Sequence, residues 1–283
     1  MNPIIVTLTT IPSRIPYIQT TIDSILNQSL SPSKVELYIP REYTQRSLGK
    51  IDDKYLPTGC EVIYCDKDYG PATKILPALQ RYTDKDVTII YCDDDRLYEK
   101  NWIKRLVSQS KNYPNDCITD EGVDIGWYLF KEWHSKNRFR YRFFRILSLG
   151  IWRPKRSLHS KPDNLTDTAE GYGGNLIRPH FFPHEVFDIP DVFWAVDDIW
   201  LSGMMTKNGI KIRRTEKKIR SLEVSEKKSN IAIKESALNT FVYKGYDREA
   251  ANCLTVKYFM DNYNIWKEYE SLCRMYLKAT DLF

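Results

Sequence analysis

Three consecutive carboxylates, Asp93, Asp94 and Asp95, directly follow the apolar run 87–92 and have the residue types to bind a cation. The run is short, β-branched and almost uncharged, which predicts a strand buried on both faces. The carboxyl end of such a strand faces the crevice where open α/β sheets bind ligands. Adjacent carboxylates repel each other unless a cation lies between them, and hard oxygen ligands suit Mg²⁺ or Mn²⁺. We therefore interpret the acids as a metal site; the alternative, an acidic turn that caps the next helix, needs fewer acids.

Strands and helices alternate around these acids in the first half of the sequence. Strands are predicted at 4–8, 35–39, 60–65 and 87–92, and helices at 16–27, 70–82 and 102–111. This alternation predicts an α/β fold with a mostly parallel sheet and helices on both faces. Beyond Pro114 the alternation stops; a helix is predicted from about 196 to 209, and residues from about 231 to 278 are predicted to be mostly helical.

Composition indicates an ordinary globular protein. The 283 residues are 42% hydrophobic and 28% charged, which fits one large domain or one domain with an appendage. The six Cys lack CxxC spacing and are expected to be reduced core residues of a cytoplasmic protein. We expect no signal peptide, and no stretch approaches the roughly 20 apolar residues that a membrane span needs.

The positive charge is concentrated in one segment. Residues 131–161 contain ten Lys/Arg and one acid, a net charge of +9, so the rest of a chain with net charge +5 carries −4. Between Arg138 and Arg145 the cations alternate with aromatic residues, which suits an anionic membrane surface or a phosphate-bearing acceptor. The alternative is a solvated helix whose aromatics pack on its own domain. Charge alone also permits a nucleic-acid partner, but nothing else supports one, and none is expected.

Five short motifs lie in order along the chain. They are 6–14 (VTLTTIPSR), 68–74 (DYGPATK), 91–95 (YCDDD), 171–174 (GYGG) and 197–201 (DDIWL). Together they resemble the motifs of nucleotide-sugar glycosyltransferases of the GT-A fold, particularly bacterial enzymes acting on surface polysaccharide or lipopolysaccharide. The resemblance covers most of residues 3–210. It implies a GT-A domain at 1–215, with a basic insertion at 127–165, and a mostly helical region at 216–283 on the acceptor side.

The resemblance assigns the first two motifs to the donor. It places Thr9, Pro12 and Arg14 around the base and ribose, although Arg14 could instead be a surface charge. Asp68 and Lys74 belong to a turn and helix start where phosphate is favoured, and Lys74 would add a point charge for it. A lysine on the outer surface of that helix is the alternative.

The acidic motif is similar to a DxD arrangement. The resemblance implies that Asp93 and Asp95 clamp Mn²⁺ or Mg²⁺ on the donor diphosphate, while Asp94 faces the ribose or the sugar hydroxyls. Many GT-A enzymes add a histidine ligand late in the chain. Here the last histidine is His184, so Asn230 or Asn239, a water molecule or no protein group would take that position.

The last two motifs are implied to lie near the transferred sugar. Gly171, Gly173 and Gly174 would allow the backbone to approach a sugar ring, although a flexible turn is the alternative. Trp200 is expected on the sugar or acceptor side. Asp197 and Asp198 resemble the acidic pair that supplies the catalytic base of inverting members, with Asp198 preferred. The alternative is helix capping by Asp197 with Asp198 stabilised in the first turn.

These roles lead to one expected reaction. A metal-dependent enzyme would transfer a sugar from a nucleoside diphosphate, with UDP favoured by the resemblance, to a hydroxyl of a glycan or lipid-linked glycan. Asp198 would accept the proton, giving inversion, and retention stays open. The alternatives are a nucleotidyl- or phosphotransferase that uses the Asp cluster, and a non-catalytic polysaccharide- or membrane-binding protein. The expected location is the cytoplasm, with peripheral binding to the cytoplasmic face of the inner membrane.

Overall fold

The computed structural model describes residues 2–44, 48–129, 162–216, 221–224, 242 and 245–278. The basic segment 131–161 lies outside these residues, and so does the predicted helical stretch 231–241. Within the described residues, no helix is both long enough and apolar enough to cross a bilayer.

Eight strands form the central sheet. They are β1 (Ile4–Thr9), β2 (Lys34–Pro40), β3 (Glu61–Cys65), β4 (Thr88–Tyr91), β6 (Cys117–Thr119), β8 (Leu165–Thr166), β10 (Asn175–Ile177) and β11 (Ile212–Arg214). Their order is β3-β2-β1-β4-β10-β6-β11-β8, and only β10 and β8 run against the others. Two ribbons pair β5 (Arg96–Leu97) with β12 (Leu222–Glu223) and β7 (Gly122–Val123) with β9 (Thr168–Ala169). The predicted α/β class with a mostly parallel sheet is confirmed.

In the part of the chain that the structure describes, helices cover both faces of the sheet. They include α1 (Ile18–Leu26), α2 (Leu76–Arg81), α3 (Trp102–Asn112), α4 (Asp197–Lys207), α5 (Arg248–Tyr263) and α6 (Glu270–Lys278). The single helix predicted at 70–82 is instead a 3₁₀ helix, Gly70–Lys74, followed by α2. Pro77 explains the break, because it has no N–H to donate to the carbonyl of Thr73 and its ring would clash there.

Strand β4 is buried on both faces, as its apolar sequence predicts. Ile89 and Tyr91 belong to a core that includes side chains of α2, α4 and α5. Ile90 and Cys92 belong to a second core beneath α1 and α3. This double burial fixes the end of β4, and therefore the position of the acids that follow it.

Candidate active site

Asp93 and Lys74 form the first contact of the site. Lys74 ends the 3₁₀ helix and is almost completely buried, with its Nζ 2.6 Å from Oδ1 of Asp93. Asp93 keeps 32% of its side chain exposed, the largest fraction among the three acids. Burial works to raise the pKa of Asp93, but Lys74 and the nearby guanidinium groups outweigh it and lower the pKa. Asp93 is therefore an ionised carboxylate that solvent or a ligand can reach.

The other two acids are held by arginines. Asp94 accepts hydrogen bonds from Arg14 at 2.8 Å and from the Thr10 hydroxyl at 2.6 Å. Asp95 lies 3.4 Å from Arg14 and 3.3 Å from Arg96. Burial raises the pKa of Asp94 in spite of Arg14. The repulsion expected among adjacent carboxylates is thus offset by cations that the protein itself supplies.

Lys74 also joins the acidic turn to helix α4. Its Nζ lies 2.9 Å from Oδ2 of Asp197, which is 3% exposed. Burial alone would lower the pKa of Lys74, but Asp197, Asp93 and Asp198 raise it well above its ordinary value. One permanently charged ammonium therefore bridges the two acidic motifs that the sequence places about one hundred residues apart.

Asp198 is the more accessible acid of the second pair. Asp197 and Asp198 occupy the first turn of α4, and the N-cap is Val196 rather than the predicted Asp197. The Gly171 N–H donates to Oδ1 of Asp198 at 2.9 Å. Burial and the neighbouring Asp197 raise the pKa of Asp198 well above its ordinary value, and Lys74 offsets this only in part. A carboxylate with a raised pKa is suited to accept a proton.

Gly171 is the glycine that closes over this cluster. A Cβ there would lie 2.3 Å from Lys74 Nζ and 2.6 Å from Asp93 Oδ1. The predicted sugar contacts, Gly173 and Gly174, instead pack against protein. A Cβ on Gly174, which has a φ of +79°, would lie 2.1 Å from the Trp102 ring, and the Gly173 carbonyl accepts from the Trp102 indole at 2.8 Å. These two glycines are required by local packing.

Trp200 does not reach the site, which corrects the sequence-based expectation. It is 1% exposed, and its indole N–H donates to the Val186 carbonyl at 2.9 Å. Its ring packs against Tyr258 and Phe259 of α5, with centroids 5.9 and 5.5 Å apart. The sheet and α5 enclose α4, so this helix is apolar around most of its circumference. Its sequence pattern therefore does not show which side chains face the site.

The predicted donor residues lie at or beyond the ends of β1 and β3, at the same edge of the sheet as the acids that follow β4, and Thr9 and Asp68 already have protein partners. Thr9 donates to the Tyr38 carbonyl at 2.7 Å, and Pro12 is half-buried in the following turn. Asp68 accepts from the backbone N–H groups of Thr44 and Gly70, at 2.9 and 2.7 Å. The donor contacts of these residues stay predictions, as does that of Arg14.

Sequence reasoning missed Thr10 and Arg96 as individual members of the site, whereas Gly171 was predicted as part of the glycine motif. Arg96 lies over the ring of Tyr172 at 4.8 Å, which connects the acidic turn to the glycine motif. The sequence position of Arg96, directly after the three acids, was the signal that could have identified it as a member of the site. No signal in the sequence indicated that Val224 donates its N–H to the Asp95 carbonyl at 3.1 Å.

The carboxylate oxygens of the site suit a divalent ion only if a bound ligand supplies further oxygen atoms. The described residues include no group of three or more His, Cys, Asp or Glu side chains that could hold a metal. Asp93 and Asp95 nevertheless offer hard carboxylate oxygens, and Mg²⁺ is commonly bound by one or two carboxylates together with substrate phosphates. The residues fit a metal ion that arrives with a diphosphate.

The family model described as Glycosyl transferase family 2 matches residues 4–171, more than half of the 283 residues. The chain belongs to glycosyl transferase family 2. The family-level prediction of a GT-A glycosyltransferase is confirmed, and the matched residues of this family 2 member include the acidic turn, Lys74 and Gly171. No curated protein matches the sequence.

Solved structures support the same fold for this family 2 chain. S. aureus TarS 1-349 in complex with UDP-GlcNAc has a TM-score of 0.50 at 12% identity, and the match covers 100% of this chain and 73% of that one. Another S. aureus TarS structure has a TM-score of 0.43 at 14% identity, covering 94% of this chain and 44% of that one. A mycobacterial protein has a TM-score of 0.46 at 11% identity, covering 93% and 76%. This chain therefore spans less than half of the second of these TarS chains, and at these identities the likeness shows the fold alone.

Proposed function

We propose that this protein transfers a sugar from a nucleoside-diphosphate sugar to a hydroxyl of a glycan or lipid-linked glycan, as bacterial enzymes of surface polysaccharide synthesis do. The observation that carries the proposal is the Lys74 bridge between Asp93 and Asp197. It joins the acidic turn, which would bind the metal ion on the donor diphosphate, to a second pair of acids. A UDP-sugar is the first donor to test, since TarS, which shares the fold, forms a complex with UDP-GlcNAc.

Asp93 and Asp95 would hold a Mn²⁺ or Mg²⁺ ion, with the donor diphosphate supplying further oxygens. When bound, such an ion supplies Lewis-acid neutralisation of the charge on the departing nucleoside diphosphate. The protein's own contribution is to keep the carboxylates in place. Arg14 fixes Asp94, and Lys74 orients one oxygen of Asp93 while 32% of that side chain stays exposed.

Asp198 is proposed as the general base that removes the proton from the acceptor hydroxyl, with inversion at the anomeric carbon. The Gly171 N–H fixes Oδ1, which leaves Oδ2 to receive the proton. Asp197 is less suited, because it is buried and its charge is committed to Lys74. General-base catalysis of this kind typically contributes about 10²–10⁴ in rate.

The acceptor is proposed to approach from the side of the C-terminal helices. A shallow depression lies between Trp194 and the start of α5, where Tyr246 and Arg248 line it. Trp194 also covers Gly70, at the start of the 3₁₀ helix that carries Lys74. Aromatic and charged side chains of this kind suit a sugar ring and its hydroxyls.

A panel of nucleotide sugars with and without Mn²⁺ tests the proposal, with released nucleoside diphosphate as the measurement. We expect release from at least one UDP-sugar, stimulated by Mn²⁺ and by a glycan acceptor. Pyrophosphate release from nucleoside triphosphates would instead indicate a nucleotidyltransferase. A protein that neither turns over any donor nor is thermally stabilised by any nucleotide would be a binding protein on the same fold.

A further inference from the structure

A row of polar side chains crosses the sheet on the face beneath α2 and α4. Thr7 of β1 pairs with Tyr91 of β4, and Tyr91 pairs with Asn175 of β10. Residues paired across neighbouring strands point to the same face of a sheet. Ile5 and Ile177, two residues away on their strands, belong to the core that also contains Tyr91 and side chains of α2 and α4. The three polar side chains therefore stand side by side under these helices.

The row is completely buried and lacks partners. Thr7, Tyr91 and Asn175 are each 0% exposed. In the part of the chain that the structure describes, their hydroxyl groups and both amide atoms of Asn175 make no hydrogen bond. Native proteins pair nearly all buried polar atoms with protein groups or ordered water, because an unpaired one keeps its full desolvation penalty. Four such atoms in one row require an explanation.

The neighbours of the row are the charged groups of the site. The Tyr91 side chain lies close enough to Asp198, Lys74 and Asp197 to interact with each electrostatically, and these acids add to the burial that raises its pKa. Tyr91 also lies at the end of β4, two residues before Asp93. Through Tyr91, the row is thus near the Lys74 bridge.

We propose that Thr7, Tyr91 and Asn175 hold ordered water molecules that link the sheet to the Asp197–Asp198 pair, so that Tyr91 and Asn175 are positioning residues for the base. The base role rests on the proposed function; the water site does not. The row is uncharged and closed to solvent, which excludes an ionic ligand or a sugar. A buried water molecule typically makes about three hydrogen bonds to such otherwise unpaired groups.

Tyr91→Phe tests the site, because it removes only the hydroxyl. If the hydroxyl binds water within the network, its loss lowers Tm by about 2–4 °C, as expected for a domain of this size. It also lowers kcat by up to about 100-fold through misplacement of the base, with the donor KM unchanged. Tyr38→Phe is the matched control: its buried hydroxyl donates to Glu36 at 2.8 Å, so it should lower Tm and leave kcat intact.

The opposite results overturn the proposal. An unchanged or higher Tm for Tyr91→Phe would mean that the hydroxyl has no partner in solution, and a lower Tm with unchanged kcat would remove the positioning role. A crystal structure of the wild-type protein at high resolution gives an independent measurement. Ordered water within about 3.2 Å of the Tyr91 hydroxyl and the Asn175 amide is expected, and its absence would refute the site. Neither Tm nor the water depends on activity, so both stay interpretable if no donor is turned over.

Discussion

At the scale of single residues, the site is a balance of fixed charges. Asp93, Asp197 and Asp198 surround the buried ammonium of Lys74. Asp94 and Asp95 are instead paired with Arg14 and Arg96. Such a cluster stays folded because each buried charge has a partner, and removing one partner of a buried pair usually costs about 3–5 kcal/mol. Function and stability therefore depend on the same side chains.

Asp198→Asn is expected to lower kcat by about 10²–10⁴ while donor affinity stays nearly constant, because only proton acceptance is lost. In the wild type kcat/KM should rise with pH through the raised pKa of Asp198, since the base must be ionised, and this limb should disappear in the variant. Initial rates from pH 4 to 9 measure both effects. Asp261→Asn, an exposed acid on α5, serves as the control, and equal losses in the two variants would contradict the assignment.

The same substitution is expected to stabilise the fold. Because folding raises the pKa of Asp198, the folded chain binds this proton more tightly than the unfolded chain. The contribution of Asp198 to the free energy of unfolding therefore falls as pH rises from its ordinary pKa of about 3.9 to the raised value. Asp198→Asn removes that penalty, so its Tm at neutral pH should exceed that of the wild type. If Asp198→Asn had a lower Tm than the wild type at pH 7 and a higher Tm at pH 4, folding would lower the pKa of Asp198 and not raise it.

Asp95→Ala is expected to weaken Mn²⁺ binding, because the divalent ion would lose one of its two proposed carboxylate ligands. Calorimetric titration of Mn²⁺ in the presence of UDP measures the loss without relying on turnover. Asp66→Ala is the control, since the Asp66 side chain is 96% exposed and forms an ion pair with Arg41 at the surface. Wild-type affinity in Asp95→Ala would remove that residue from the proposed metal site.

At the scale of elements, the sequence correctly predicted the strands and helices that depend on the local pattern of apolar residues. The apolar run before Asp93 and the alternating helices identified the strands and the mostly parallel sheet, because burial on both faces is visible as an uninterrupted apolar run. The partners of Arg14 and Lys74 were missed, because ion pairs between residues 19 to 123 positions apart leave no trace in spacing. The same holds for Trp200, whose burial depends on α5, and for strand β10, whose position beside β4 reverses the local direction of the sheet.

Helices α4 and α5 meet at a position where only glycine fits. A Cβ on Gly203 would lie 2.4 Å from two carbons of the Phe259 ring. Gly203→Ala should therefore destabilise the fold: overpacking costs about 1–3 kcal/mol, and better helix propensity returns only about 1 kcal/mol. Urea unfolding measures the change.

Phe259→Leu provides the test of that cause, because it makes room for the added methyl group. The loss caused by Gly203→Ala should be smaller in the Phe259→Leu background than in the wild type, a coupling that a double-mutant cycle detects. Additive effects of the two substitutions would show that contact with the Phe259 ring is not the reason for the destabilisation.

At the scale of the whole molecule, charge is unevenly distributed. Segment 131–161 carries +9 against −4 for the rest of the chain, and its prediction as a membrane-binding segment is not tested by the described residues. Each basic residue near an anionic leaflet contributes about 1 kcal/mol, and the attraction is screened over about 8 Å at physiological ionic strength. Peripheral attachment to an anionic membrane is therefore proposed to bring the enzyme to lipid-linked acceptors.

Co-sedimentation with liposomes tests this attachment. The protein should pellet with anionic vesicles at low salt, pellet less at high salt, and stay in solution with neutral vesicles. A variant with Arg138, Arg140, Arg142 and Arg145 replaced by Gln should lose most of the binding. Equal, negligible pelleting under every condition would leave the segment as an acceptor-binding surface or a packed helix.

The ribbon of β5 and β12 has a consequence for how enzymes of this kind can be recombined. Residues 221–224 return to the acidic turn, and the Val224 N–H donates to the Asp95 carbonyl. Residues 222–224 thus border the acidic turn, so the C-terminal part of the chain cannot be exchanged independently of it. A chimaera that takes its C-terminal part from a relative must bring a segment that re-forms this ribbon, or its acidic turn will lose this pairing. The acidic turn and the segment that pairs with it are therefore expected to be inherited together.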